Sequence, residues 1–125
     1  MSVVLDTNAL MMPVECNVRV FEELDRLLDA PDLLVPAAVV AELRDLAGRA
    51  GEEATAASVG LDLADRCTVR ETDASGGDNA VYELAQADDV THVVTNDGPL
   101  KRRLLDAGVS VIRLRGQNKL AITQP

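Results

Sequence analysis

The sequence predicts a three-layer α/β/α sandwich around a central, mostly parallel, five-stranded sheet, and three observations predict it. Short apolar runs alternate along the chain with longer segments of helical period. The hydrophobic residues are mostly Val, Leu and Ala, with one Phe, one Tyr and no Trp. A core of aliphatic layers suits strands covered by helices on both faces. The first run, Val3-Val4-Leu5, stops abruptly at Asp6-Thr7-Asn8, as a buried strand does where it leaves its sheet. At 125 residues the chain has the size of one ordinary domain, and no repeat, linker or low-complexity tract divides it.

After strand one, Met11-Met12-Pro13-Val14 reads as a connecting segment. Asn17 is a candidate cap for a helix from Val18 to about Leu28, with Val18, Phe21, Leu24, Leu27 and Leu28 on one face. Pro31-Asp32 is a turn, Leu33-Leu34-Val35 a short strand, and Pro36 leads into the helix that follows. That helix runs from Ala37 to Ala47 on a stripe of Val39, Val40, Leu43 and Leu46, and Gly48 and Gly51 interrupt it. A third, alanine-rich helix spans Glu52 to Asp65, and Thr68 to Thr72 alternates as a strand. The loop Ala74-Ser75-Gly76-Gly77 precedes a helix from Asp78 to about Ala87. Val90 to Thr95 is a strand, Leu100 to Ala107 a helix closed by Gly108, and Val109 to Leu114 the last strand. The polar tail from Arg115 is expected to be partly loose. Parallel strands joined by helices imply right-handed crossovers.

The net charge is −9, which argues against simple electrostatic capture of nucleic acid. Two readings compete: a protein that avoids polyanions, and one adapted to high salt, where a dense acidic surface preserves solubility. All basic residues except Lys101 and Lys119 are arginines, which favours the salt-adapted, halophilic reading. Cys16 and Cys67 are too few and too distant for a disulfide framework or a zinc site. With no signal peptide before Val3 and no run long enough to span a bilayer, a soluble cytoplasmic protein is expected.

Four acidic residues stand apart by position. Asp6 ends strand one, Glu42 lies one turn into the helix after strand two, Asp78 opens the helix after strand three, and Asp97 follows strand four just after Thr95-Asn96. In a parallel sheet all four fall at the carboxyl edge. Gathered there they would repel one another and raise each other's pKa, and Mg²⁺ or Mn²⁺ suits such hard oxygen donors. Each also has a plainer reading. Asp6, Asp78 and Asp97 are all placed to cap a following turn or helix, and Glu42 to be an ordinary solvated helix residue. Thr7, Asn8 and Thr95 are neutral candidates for orienting a carboxylate or water, or for satisfying loop backbone groups. Lone His92, at a strand edge, reads as structural.

The segments Val4-Leu5-Asp6-Thr7-Asn8, Val35-Pro36 with Val40-Ala41-Glu42-Leu43, Gly77-Asp78-Asn79-Ala80-Val81, and Val94-Thr95-Asn96-Asp97 with Leu100-Lys101-Arg102-Arg103-Leu104 resemble the PIN-domain ribonucleases, in that family's order. The resemblance covers nearly the whole chain. The Val111-to-Arg115 ending and the Lys101-Arg102-Arg103 helix look more like the archaeal ribosomal-RNA-processing branch than the toxin branch. The resemblance implies a Mg²⁺- or Mn²⁺-dependent nuclease of single-stranded RNA, with Asp6, Glu42, Asp78 and Asp97 as both catalytic and metal-binding residues. Many relatives carry a second acid where this chain has Asn79, and an amide there weakens a metal site.

An acidic protein must still hold RNA. Lys101, Arg102 and Arg103, together with Arg113 and Arg115, are candidate phosphate contacts, or simply solvated faces. One Tyr and one Phe leave little scope for aromatic base stacking. Beside an rRNA-maturation enzyme working with ribosome-assembly factors stand two alternatives: a toxin paired with an antitoxin, and a non-catalytic PIN scaffold that binds RNA or protein. The third helix and the tail offer a surface for a homodimer. A receiver-type phosphate-binding domain would need an acidic pair near strand one and an Asp ending a middle strand, and neither pattern is present.

Overall fold

A computed structural model describes residues 1–125 as six strands and six helices: β1 (Ser2–Leu5), α1 (Thr7–Glu15), α2 (Val20–Leu27), β2 (Asp32–Pro36), α3 (Ala37–Ala47), α4 (Glu52–Ala64), β3 (Thr68–Arg70), α5 (Gly77–Leu84), β4 (Val90–Val94), α6 (Gly98–Asp106), β5 (Ser110–Arg115) and β6 (Lys119–Thr123). The strands form one sheet in the order β3-β2-β1-β4-β5-β6. The first five are parallel, and β6 pairs antiparallel with β5, from Val111 opposite Thr123 to Arg115 opposite Lys119. Six helices flank this sheet as an α/β/α sandwich.

Two expectations fail here. The sheet has six strands, not five, and the tail is not loose. After Gly116, which takes φ +73° to turn the chain, Lys119–Thr123 folds back on β5. Leu120 is buried in the core, and α2 locks the strand from the side. Leu120 N–H donates to Glu23 Oε1 at 2.9 Å, and Arg26 Nη2 donates to the Leu120 carbonyl at 2.8 Å.

Thr7–Glu15 is a helix rather than a connection, although Pro13 lies inside it. Proline costs an interior helix one backbone hydrogen bond. Burial of Ala9, Leu10, Met11 and Met12 offsets that loss. Asn17 caps nothing: it takes φ +53°, and the next helix begins at Val20 without a side-chain cap. The alanine-rich α4 packs on α1 and α3 through buried Ala54, Ala56, Ala57, Gly60 and Ala64. Its small residues permit close approach, since a Cβ on Gly60 would lie 3.0 Å from the Leu10 carbonyl oxygen. The core is aliphatic throughout, centred on Val3, Val4, Leu5, Val93, Val94, Val111 and Ile112. No helix is long and apolar enough to cross a membrane.

The strand order decides where a site forms. Successive crossovers run one way from β1 to β2 and β3, and the other way from β4 to β5. The carboxyl ends of β1 and β4 therefore flank a crevice, the usual ligand position in open α/β sheets. Leu5 pairs with Val94, which brings Asp6 and Thr95 out of the sheet side by side.

Candidate active site

Asp6 is held by three constraints. Its backbone N–H donates to the Val94 carbonyl at 3.3 Å, tying it to β4. Its extended backbone makes it the N-cap of α1, where Oδ1 accepts from Ala9 N–H at 2.7 Å. Its side chain is buried, with the residue only 4% exposed. Burial pushes the carboxyl up from its ordinary 3.8 to about 6. The Thr95 hydroxyl and the Ala9 N–H oppose that rise, and the charges of Asp78 and Asp97 add to it. None of the chain's five ion pairs includes Asp6.

Asp97 sits across the crevice in a matching role. Its backbone N–H donates to Thr95 Oγ1 at 3.1 Å, and its Oδ2 caps α6 by accepting from Leu100 N–H at 2.8 Å. Pro99 occupies the first turn of that helix, where a missing N–H costs nothing. Asp6 and Asp97 are thus caps, as the plainer reading has it. Each cap bond occupies one carboxylate oxygen, and the Thr95 hydroxyl also bonds the Asp6 carboxyl.

Asp78 is not a cap. Gly76 holds that position with φ +85°, and Asp78 lies exposed in the first turn of α5. Glu42, on α3, is exposed and reaches the start of that same helix. A Cβ added to Gly77 would lie 2.6 Å from Glu42 Oε2 and 3.8 Å from Thr7 Oγ1. The glycine therefore leaves the space that the Glu42 carboxylate fills. The loop before α5 is fixed by Glu83, whose two oxygens accept from Asp73 N–H at 2.9 Å and Ala74 N–H at 3.1 Å. Sequence reasoning passed over Gly77 and Glu83. The paired glycines before Asp78 were the available signal for the first, and nothing local announces the second.

The structure thus brings Asp6, Thr95 and Asp97 together around the β1–β4 crevice, with Asp78 close enough for its charge to act on Asp6. Glu42 joins them from the α5 side, beside Thr7. Thr7 and Thr95 are buried and Asn8 is exposed. No three His, Cys, Asp or Glu side chains close on one point as a metal-binding group. The donor chemistry nevertheless suits a divalent cation: a buried carboxylate with no cationic partner, repelled by two others. The three surface cavities lie elsewhere and include none of the four carboxylates.

Asn79 points away from this chemistry. Its Nδ2 donates to the Ser75 carbonyl at 3.3 Å, and its Oδ1 accepts from Arg103 Nη1 at 3.2 Å. Arg103 also lies over the Tyr82 ring, 4.3 Å from its centroid. Arg102 folds back toward the start of α6, where a Cβ on Gly98 would meet its Nη1 at 3.6 Å. Lys101 is half-buried, and Arg113 and Arg115 are exposed on β5. Asn96 ties the β4 exit to that strand by accepting from Leu114 N–H at 2.8 Å. Of the remaining reactive groups, His92 is paired with the neighbouring Thr91 hydroxyl at 2.7 Å, and burial lowers its pKa. Both cysteines are free, and burial pushes Cys67 up to about 11, which leaves it unreactive.

The fold recurs in solved structures. The PIN domain endonuclease Utp24 is similar with a TM-score of 0.80 and 21% identity, over 99% of this chain and 92% of that one. A domain of a functionally unknown protein from Methanocaldococcus jannaschii gives a TM-score of 0.68 at 18% identity, over 94% of each chain. A chain of VapBC2 from Rickettsia felis, solved bound to a DNA fragment from its promoter, gives 0.61 at 16% identity, over 82% of this chain and 92% of that one. At these identities the likeness is one of fold. No curated protein sequence matches the chain. The family profile described as a PIN like domain matches residues 3–117, nearly the full length, and the chain belongs to that family.

Proposed function

We propose that this protein is a Mg²⁺- or Mn²⁺-dependent endoribonuclease that hydrolyses phosphodiester bonds in single-stranded RNA, in the maturation of ribosomal RNA. The observation that carries the reading is Asp6. A carboxylate buried at the switch point of the sheet, without a cation and facing two further negative charges, is costly to the fold. Such a cost is characteristic of functional sites. Family membership and the likeness to an endonuclease support the same assignment.

Asp6, Glu42, Asp78 and Asp97 would hold the ion. When bound, it supplies an acidified water and neutralises charge on the phosphodiester. The protein's own residues do the rest. The two capping hydrogen bonds fix Asp6 and Asp97 on rigid elements, so their carboxylates keep one orientation. Thr95 spaces the two aspartates, and Thr7 and Asn8 line the approach from α1. Lys101, Arg102, Arg103, Arg113 and Arg115 contact RNA phosphates beside the carboxylates and offset their repulsion of the polyanion. Hydrolysis of this type leaves a 5′-phosphate and a 3′-hydroxyl.

A second reading, a PIN scaffold that binds RNA or protein without cutting, is favoured by one observation: no three carboxylates converge as a metal group. The test is direct. A structured RNA is incubated with Mn²⁺ at molar salt and either the wild-type protein or Asp6→Asn. Cleavage by wild type alone establishes the nuclease. Equal background from both proteins leaves the scaffold reading ahead. A small antitoxin gene beside this one would move the nuclease to the toxin branch.

A further inference from the structure

The seam between α5 and α6 holds Arg103 in a setting that a phosphate contact alone does not explain. Arg103 is exposed, yet its guanidinium is fixed twice: by the hydrogen bond to Asn79 Oδ1 at 3.2 Å and by the Tyr82 ring, 4.3 Å from Cζ. Asn79 is itself anchored to the Ser75 carbonyl at 3.3 Å. A surface arginine normally loses considerable rotamer entropy on binding a ligand, and here that ordering is already made. Tyr82 lies against the planar cation, and Arg103 as a residue stays exposed. Asn79 follows Asp78 directly in α5, so the strut stands one residue along the helix from the carboxylate rim, on a neighbouring face.

A fixed guanidinium on an exposed residue presents a stacking surface of the size of a nucleobase, and it carries the charge that an RNA backbone seeks. A phosphate contact alone would require neither the tyrosine nor the strut from Asn79. We propose that Arg103, backed by Tyr82 and held by Asn79, is a seat on which one unpaired base stacks next to the scissile phosphate. The proposal rests on the reading of the chain as an RNA nuclease and names its specificity-determining residue. Such a seat would favour single strands, since a base locked in a duplex presents no free face. The chain's low aromatic content is no obstacle, because one base needs one plane, and the arginine supplies it.

Tyr82 is the chain's single tyrosine, so protein grown with 3-fluorotyrosine carries one ¹⁹F resonance, at the seat itself. The experiment titrates this protein, with Ca²⁺ in place of Mg²⁺, with oligoadenylate and with an abasic ribose-phosphate oligomer of equal length. Gel analysis monitors that the RNA remains intact. Oligoadenylate is expected to shift the resonance and to bind about tenfold more tightly than the abasic oligomer. Arg103→Lys keeps the charge and loses the plane, so it binds both oligomers equally, at the abasic affinity. Its circular dichroism spectrum is compared with wild type to show an intact fold. Asn79→Ala, which removes only the strut, weakens the base preference to an intermediate value. The proposal is overturned if wild type binds both oligomers alike or neither, if the resonance does not move, or if Arg103→Lys retains the preference. Binding is read without turnover, so a failed seat is distinguishable from a failed nuclease, which the Asp6→Asn cleavage assay decides separately.

Discussion

Asp6 answers two opposed demands, and the opposition sets its pH behaviour. As a cap it stabilises α1 by about 1 kcal/mol. As a buried carboxylate its pKa rises from 3.8 to about 6. That difference of about two units, at about 1.36 kcal/mol each, makes the ionised form cost about 3 kcal/mol. The folded state binds this proton more tightly than the unfolded state does. The group's contribution is therefore most favourable below about pH 4, and it is lost as pH rises through about 6. Asp6→Asn keeps a capping oxygen and carries no charge. It is expected to raise the melting temperature at pH 7 and to flatten its dependence on pH between about 4 and 6. Mn²⁺ should then stabilise wild type and leave the variant nearly unmoved, by mass action on the folded state. Gly77 gives the complementary case. Gly77→Ala displaces the Glu42 carboxylate, which is the mobile end of an exposed side chain. The expected result is a loss of cleavage of about tenfold or more, with little change in melting temperature. Asp6 and Asp97 stand out in the sequence because each follows the end of a parallel strand, and Glu42 and Asp78 because each lies on the helix after another. Gly77 and Glu83 do not, because their roles are set by tertiary approach and by backbone groups of a loop.

At the level of elements, the parts read correctly from sequence are those with a clean period, such as α3, whose predicted limits match the observed ones. The missed parts break a local rule. Pro13 argues against α1, yet contact with α4 holds the helix together. β6 has a single fully buried residue, Leu120, and depends on α2 for its attachment. That attachment is testable through Glu23, whose pKa is lowered from 4.5 to about 2 by its bond to Arg26 and by the Leu120 N–H. The stabilisation is present above about pH 4.5 and is lost as pH falls toward about 2. Glu23→Ala should lower stability at pH 7 by about 1 kcal/mol, measured in urea, and the difference from wild type should vanish near pH 2. The α1–α4 contact gives a second test. Gly60→Ala forces a Cβ to within 3.0 Å of the Leu10 carbonyl oxygen and 3.2 Å of Leu43 Cδ2. Neither helix backbone can yield cheaply, so a loss of about 1–3 kcal/mol in unfolding free energy is expected.

For the molecule as a whole, net charge is the dominant electrostatic fact. A charge of −9 destabilises a chain of this size through self-repulsion, and salt screens it. Melting temperature is expected to rise steadily from low to molar NaCl, and a flat profile would remove the case for salt adaptation. The overall architecture was legible because alternation of strand and helix restricts the topology to few choices. The sixth strand escaped because an antiparallel return needs only a short turn and leaves no crossover helix to announce it.

The central place of β1 also governs timing. Asp6 is made well before its partner strand, for β1 pairs on one side with β4, Leu5 meeting Val94. At about 5–20 residues per second, that partner arrives seconds later. Asp97 follows only after β4 is complete. Until both have been made, a growing chain carries no crevice between Asp6 and Asp97, and the two carboxylates wait on the pairing of β1 with β4.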